Sequence, residues 1–197
     1  MKNLLKNYLF IIAVFFTIAT TAMDDGIDVR VSVSAKTINF TLQNSDGNIE
    51  VSIIDCRGFE LYKEKFQGAV FAKKFDFATL PKGDYFFEIE GKTKIRVMPF
   101  TVEFNHIKIN SKPETIFYKP IVRMENDNVF ISILACDNES LEIELFDEAS
   151  NLLYTEEIVG KVNLGRKLNI SRLIKGDYRL VLKSGNKIFK QTIKKKN

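Results

Sequence analysis

Apolar and polar residues alternate with a period of two along most of the chain. Residues 49–53 (IEVSI) and 141–145 (LEIEL) place aliphatic side chains at every second position, and residues 85–90 and 178–183 continue the pattern. Such alternation is typical of strands with one buried and one solvated face. Turn signals that contain glycine separate these runs, at residues 46–48, 57–58, 82–83, 91–92, 175–176 and 184–186. The pattern predicts an all-β fold of antiparallel β-sandwiches.

The N-terminal residues follow a different pattern. Lys2 and Lys6 precede an unbroken apolar run at residues 9–18 (LFIIAVFFTI), and residues 19–22 (ATTA) are small or short. This arrangement is typical of a secretory signal peptide, which we predict at residues 1–22. The alternative is an uncleaved anchor, but the run is shorter than the roughly 20 apolar residues of a spanning helix. We therefore expect an exported protein with no stable membrane span after cleavage, located in the periplasm, at the cell surface or outside the cell.

The rest of the chain contains an internal repeat. Residues 49–64 (IEVSIIDCRGFELYKE) align with residues 141–156 (LEIELFDEASNLLYTE) at an offset of 92. Residues 80–85 (LPKGDY) align with residues 173–178 (LIKGDY) at an offset of 93. The period is too long for a solenoid, whose units run about 20 to 50 residues. The repeat therefore predicts two tandem copies of one small fold.

The predicted boundary between the two copies lies at residues 105–120 (NHIKINSKPETIFYKP). Pro113 and Pro120 each remove a backbone donor there, so neither fits a central strand. Several apolar residues in the segment indicate a packed connector with strand character, and the two units should touch. The predicted organisation is a signal peptide at residues 1–22, a first β-sandwich at 23–104, a connector at 105–120 and a second β-sandwich at 121–197.

The repeated block also has the spacing of a known structural device. Leu-x-x-Gly-x-Tyr resembles the tyrosine corner of immunoglobulin-like sandwiches, in which a tyrosine hydroxyl binds a backbone group a few residues upstream. We expect glycine to permit the tight bend through a positive φ. A structural role is favoured over ligand binding for both tyrosines. The predicted corner residues are Leu80, Gly83 and Tyr85 in the first unit and Leu173, Gly176 and Tyr178 in the second.

With these residues in place, the chain resembles the C-terminal sorting domain of Bacteroidetes proteins exported by the type IX secretion system. The second unit carries the pattern over about its last 57 residues, and residues 51–96 of the first unit follow it more loosely. The residues that carry the resemblance in the second unit are 143–147, Leu153, 168–171, Leu173, Gly176, Tyr178 and the basic stretch 187–196. The resemblance implies an immunoglobulin-like sandwich, export from a Bacteroidetes-like source and a possible sorting role for the second unit.

Composition narrows the function classes. With 29 basic and 25 acidic residues the net charge is +4, too small for the dense positive field of a nucleic-acid binder. A hydrophobic fraction of 45% excludes a disordered chain. One histidine, two cysteines and no tryptophan cannot form a multi-histidine metal centre or a disulfide scaffold. We expect no nucleic-acid partner and no cofactor.

Each near match to a catalytic or metal motif has a structural alternative that we favour. Residues 91–93 (GKT) resemble the end of a phosphate-binding loop, but they fit a hairpin turn better. His106 could pair with Cys56 or Cys136 as a dyad, although a surface histidine and two independent thiols are the simpler interpretation. Asp24, Asp25 and Asp28 could hold calcium, but an acidic chain terminus is usually solvated.

Two hypotheses of function follow from different classes. The first, which we favour, is a secreted or periplasmic non-enzymatic protein of two immunoglobulin-like modules that acts by protein or surface binding. The alternative is a type IX secretion cargo whose second unit is the sorting domain, and an enzyme comes third. Glycan binding would need exposed aromatic residues. The candidates for that role, which are more typical of a core, are Phe66, Phe71, Phe75 and Phe77.

Overall fold

The computed structural model describes residues 27–43, 47–109, 114–136, 140–160 and 162–196. The predicted signal peptide at residues 1–22 lies outside these ranges, as do Asp24 and Asp25. The described residues form sixteen strands, and every strand pairing is antiparallel. They contain no helix of the length and apolarity that crossing a membrane requires.

The first unit has two sheets. Its strands are β1 (Asp28–Ser34), β2 (Thr37–Gln43), β3 (Asn48–Asp55), β4 (Glu60–Gln67), β5 (Val70–Asp76), β6 (Gly83–Glu90) and β7 (Lys94–Val102). One sheet has the order β1-β2-β5 and the other has the order β4-β3-β6-β7. The connector adds β8 (Ile107–Ile109) and β9 (Thr115–Tyr118), and both pair with β7.

The second unit repeats this strand order. Its strands are β10 (Ile121–Glu125), β11 (Asn128–Leu134), β12 (Leu141–Phe146), β13 (Leu152–Ile158), β14 (Asn163–Asn169), β15 (Gly176–Ser184) and β16 (Lys187–Lys195). The sheets have the orders β10-β11-β14 and β13-β12-β15-β16, which match those of the first unit strand for strand. The all-β fold predicted from the alternating pattern is confirmed.

The repeat extends to turn chemistry. Asp55 closes the β3–β4 turn by accepting hydrogen bonds from the amides of Arg57 and Phe59, both at 2.8 Å. Asp147 accepts the amide of Asn151 at 2.8 Å in the β12–β13 turn. A short side chain that binds nearby backbone amides stabilises such turns, which explains why aspartate occurs in both copies.

Each unit has its own core, and the two cores differ in composition. The first is aromatic: Phe40 and Phe87 stack with ring centroids 5.0 Å apart, and Phe87 and Phe100 lie 4.9 Å apart. The second consists mainly of leucine, isoleucine and valine. The phenylalanines considered for glycan binding belong to the first core, where Phe71, Phe75 and Phe77 are buried and Phe66 is partly buried. Their interpretation as core residues is therefore correct.

The connector completes the edge of the first unit's larger sheet. Residues 94–97 of β7 pair with β9, and residues 100–102 pair with β8. Pro99 lies between these two segments, where no connector strand pairs with β7. Proline lacks a backbone donor, so a strand tolerates it only where no ladder partner needs that donor.

Candidate functional site

Both predicted corner tyrosines lie at the start of a strand and bind backbone upstream. The hydroxyl of Tyr85 donates to the carbonyl oxygen of Pro81 at 2.9 Å, and that of Tyr178 donates to the carbonyl oxygen of Ile174 at 2.8 Å. Both rings are buried. Leu80 and Leu173 pack, partly buried, against the respective cores. Both hydroxyls are thus engaged within their own unit.

Burial also affects the ionisation of one of these tyrosines. Desolvation raises the pKa of Tyr85, and the nearby Asp55 and Cys56 raise this pKa further. The phenol therefore keeps its proton at neutral pH and can act as the hydrogen-bond donor that the corner requires.

The expected reason for the corner glycines is wrong. The glycines with positive φ are elsewhere, for example Gly58 at 82° and Gly185 at 54°, and neither Gly83 nor Gly176 is among them. A Cβ on Gly83 would lie 3.8 Å from the Tyr85 ring, an ordinary contact. At Gly176 it would lie 3.5 Å from Oε1 of Glu148, which also accepts the amide of Asp177 at 3.0 Å. Both distances are ordinary van der Waals contacts, so neither a left-handed backbone nor lack of space requires glycine at these two positions.

The other sequence candidates do not converge. His106, Cys56 and Cys136 are all exposed, and both cysteines are free thiols. Asp28 pairs with Arg30 at 3.0 Å. Within the described ranges, no group of three or more histidine, cysteine, aspartate and glutamate residues could hold a metal ion. Gly91 closes the β6–β7 hairpin through a 2.9 Å bond from its amide to the carbonyl of Lys94, as expected for a turn.

The residues through which the two units touch were not predicted. Lys187, at the start of β16, forms an ion pair of 2.5 Å with Glu88 of β6. Its ammonium also lies 5.4 Å from the ring centroid of Phe117 in β9. The side chains of Lys187 and Glu88 are only 16% and 19% exposed, so this pair is better shielded than a typical surface pair. One lysine thus links the first unit, the connector and the second unit.

Beside this contact lies a groove of about 340 Å³, which we call the inter-unit groove. The β6–β7 turn, the end of the connector and β16 all contribute to it. Its lining residues are Glu90, Lys92, Lys119, Pro120, Leu182, Ile188, Phe189, Lys190 and Gln191. A second groove of about 800 Å³ on the first unit shares Glu90, Lys92 and Lys119 with it.

Positive charge dominates the inter-unit groove. Glu90 is neutralised by Lys119 at 2.5 Å. Lys92 and Lys190 are exposed and form no ion pair with any residue in the described part of the chain. Ile188 adds an apolar surface that is 59% exposed. The groove therefore suits a ligand that carries both negative charge and apolar groups.

Sequence reasoning missed this groove for a physical reason. Lys92 was recognised only as part of a turn, and Lys190 only as one lysine in a basic stretch. The repeat shows which residues are equivalent in the two copies, but it contains no information about how the copies pack together. The only available signal was the apolar connector, which indicated that the two units touch.

Comparison with known proteins gives a family match for the first unit. Residues 34–103 match the family described as "Secretion system C-terminal sorting domain". No curated protein matches the chain.

Among solved structures, a biofilm associated protein BSP domain is similar over 83% of this chain and 29% of its own, with 11% identity and a TM-score of 0.28. The trypsin activated alpha-2-macroglobulin from Escherichia coli is similar over 87% and 16%, with 12% identity and a TM-score of 0.35. The chicken CNTN1 FN1-FN3 domains are similar over 85% and 65%, with 9% identity and a TM-score of 0.26. The chain thus spans less than a third of the first two proteins.

The resemblance to the sorting domain is confirmed, and the unit of this chain that matches that family is the first one, at residues 34–103.

Proposed function

We propose that this chain is an exported, non-enzymatic protein that acts by binding a protein or surface partner in the inter-unit groove. The observation that carries the proposal is that both units and the connector build this groove. The match of residues 34–103 to a secretion-system sorting domain family supports export of the protein. A binding site that needs both copies also gives a reason for retaining two copies in one chain.

The electrostatics of the groove support binding of an anionic partner. Lys92 and Lys190 contribute two positive charges that no acidic residue of the described structure neutralises. Charges of one sign along a concave surface attract and orient a partner of the opposite sign. This attraction is screened by salt, so association should weaken as ionic strength rises.

Site-specific photo-cross-linking in intact cells tests the proposal. A photoreactive amino acid at Lys92 should give a discrete adduct, because this exposed residue lines the inter-unit groove. The matched control is the same substitution at Lys74, an exposed lysine of β5 that lines neither groove. An adduct at Lys92 and none at Lys74 is expected. Absence of an adduct at Lys92, or equal adducts at both positions, would contradict the proposal.

A second candidate function is that of a type IX secretion cargo whose second unit is the sorting domain. Its support is that the second unit has the strand order of the matched first unit. This alternative requires removal of the second unit during export, whereas binding in the inter-unit groove requires that the second unit be retained. Cell fractionation with detection of each unit separates the two.

A further inference from the structure

The two copies differ at one edge of the larger sheet. In the first unit, β7 is covered beyond β6 by the connector strands β8 and β9. In the second unit, β16 is the counterpart of β7 and pairs only with β15 among the described strands. The fold therefore accepts a further strand at this edge, and in the second copy no strand of the described ranges occupies it.

Burial differs between equivalent positions of the two edge strands. Ile95 of β7 pairs with Phe117 of β9 and is only 4% exposed. Its counterpart at an offset of 93 is Ile188 of β16, which is 59% exposed. Addition of a strand beside β16 would place a side chain next to Ile188, as β9 places Phe117 next to Ile95. An exposed isoleucine at the open edge of a strand favours such pairing.

The strand geometry determines which residues of β16 direct their backbone N–H and C=O groups to the open edge. Successive residues of a strand direct their hydrogen-bonding groups alternately to opposite sides. The Lys94 carbonyl accepts from Gly91 on the β6 side, whereas the Thr93 carbonyl accepts from Lys119 on the connector side. Lys187, the counterpart of Lys94, closes the β15–β16 hairpin opposite Ser184. The backbone groups of Ile188, Lys190 and Thr192 consequently face the open edge.

The charges beside this edge define the chemistry of the occupant. Lys190 is exposed on β16, and Lys92 lines the same groove as residues 188–191. Neither lysine has an ion-pair partner in the described part of the chain, whereas Lys119 is paired with Glu90 and Lys194 with Asp177. Lysines at a sheet edge repel one another and strands of like charge, but they attract an acidic strand. We propose that residues 187–191 of β16 accept an extended acidic segment of a partner protein as an additional strand. This inference rests on the proposed binding function of the inter-unit groove.

Amide hydrogen exchange with a synthetic probe tests the inference. A seven-residue peptide that alternates glutamate and valine should slow exchange at Ile188 and Lys190 by about tenfold or more at saturation, because these amides acquire acceptors. A peptide that alternates lysine and valine is the control and should leave both amides unchanged. Unchanged exchange with the acidic peptide would overturn the inference. So would equal binding of polygalacturonate, since a polysaccharide offers no strand backbone.

Two variants at one position separate charge from backbone pairing. Lys190→Gln removes the charge and should weaken peptide binding only several-fold. Lys190→Pro also removes the outward amide and should weaken binding at least about tenfold more than Lys190→Gln. The sheet should tolerate this proline, because Pro99 of β7 also lies at a position whose backbone groups face away from the neighbouring strand β6. Equal affinities of the two variants would overturn strand addition.

The cross-linking experiment distinguishes failure of this inference from failure of the proposed function. If Lys92 forms its adduct in cells while the acidic peptide leaves the β16 amides unprotected, strand addition is wrong and groove binding stands. If Lys92 forms no adduct, the proposed function itself is contradicted. A probe-induced dimer with protected β16 amides would indicate self-association through this edge and would also overturn the inference.

Discussion

At the scale of single residues, each tyrosine corner combines a buried ring with one hydrogen bond to backbone. Tyr85→Phe removes the 2.9 Å bond to Pro81 and keeps the ring. We expect it to lower the free energy of unfolding by about 0.5 to 1.5 kcal/mol. Tyr85→Ala also removes an aromatic side chain from the core and should cost about 3 to 5 kcal/mol. Denaturant titration of the mature protein measures both changes.

Tyr178 provides an independent copy of the same experiment. Its bond to Ile174 measures 2.8 Å and its ring is equally buried, so the two substitutions should rank in the same order there. Equal effects of alanine and phenylalanine at either position would mean that the ring contributes nothing to the core. A ligand-contacting role would then become the better explanation for that tyrosine.

The glycines of the corner and of the neighbouring turn should respond differently to substitution. Gly83 has no positive φ, and an added Cβ meets only an ordinary contact, so Gly83→Ala should change the unfolding free energy by less than about 1 kcal/mol. Gly58 has a φ of 82°, so Gly58→Ala should cost about 1 to 2 kcal/mol from backbone strain alone. Thermal unfolding of the two variants compares them directly. A larger loss of stability for Gly83→Ala than for Gly58→Ala would mean that Gly83 has a backbone conformation that alanine cannot easily adopt.

At the scale of elements, the strands were predictable and some of their pairings were not. Alternation at residues 49–53 and 141–145 identified strands because burial on one face imposes a period of two. The pairing of both connector strands with β7 was not predicted, since short apolar segments such as residues 115–118 carry no signal for their partner. The corner spacing located Tyr85 and Tyr178 correctly at strand starts, but it did not indicate the backbone conformation of Gly83 and Gly176, which have no positive φ.

The first hairpin of each unit offers a matched exchange. Ala35 and Asn126 occupy the β1–β2 and β10–β11 turns with φ values of 50° and 53°. Asparagine tolerates this left-handed region, whereas alanine is strained there. Ala35→Asn should therefore stabilise the first unit by about 0.5 to 1 kcal/mol, and Asn126→Ala should destabilise the second by a similar amount. Calorimetry of both variants tests the pair. If Ala35→Asn destabilised the first unit, or Asn126→Ala stabilised the second, the two turns would not have equivalent backbone conformations.

At the scale of the whole molecule, the connector and the ion pair of Lys187 with Glu88 join two copies of the same strand order. Lys187 and Glu88 are 99 residues apart in sequence, so no local pattern indicates that they meet. The groove beside them requires both units, whereas a sorting signal requires only one. The fate of the second unit during export therefore distinguishes the two functions.

The most direct test of this account is the intact mass of the mature protein recovered from cells and from the medium. We predict one species that begins near Met23, because the predicted signal peptide ends at Ala22, and that retains the second unit through β16. A mature species that lacks residues 121–197 would contradict the account, since the inter-unit groove cannot form without β16. A species that still begins at Met1 would contradict the predicted cleavage of the leader.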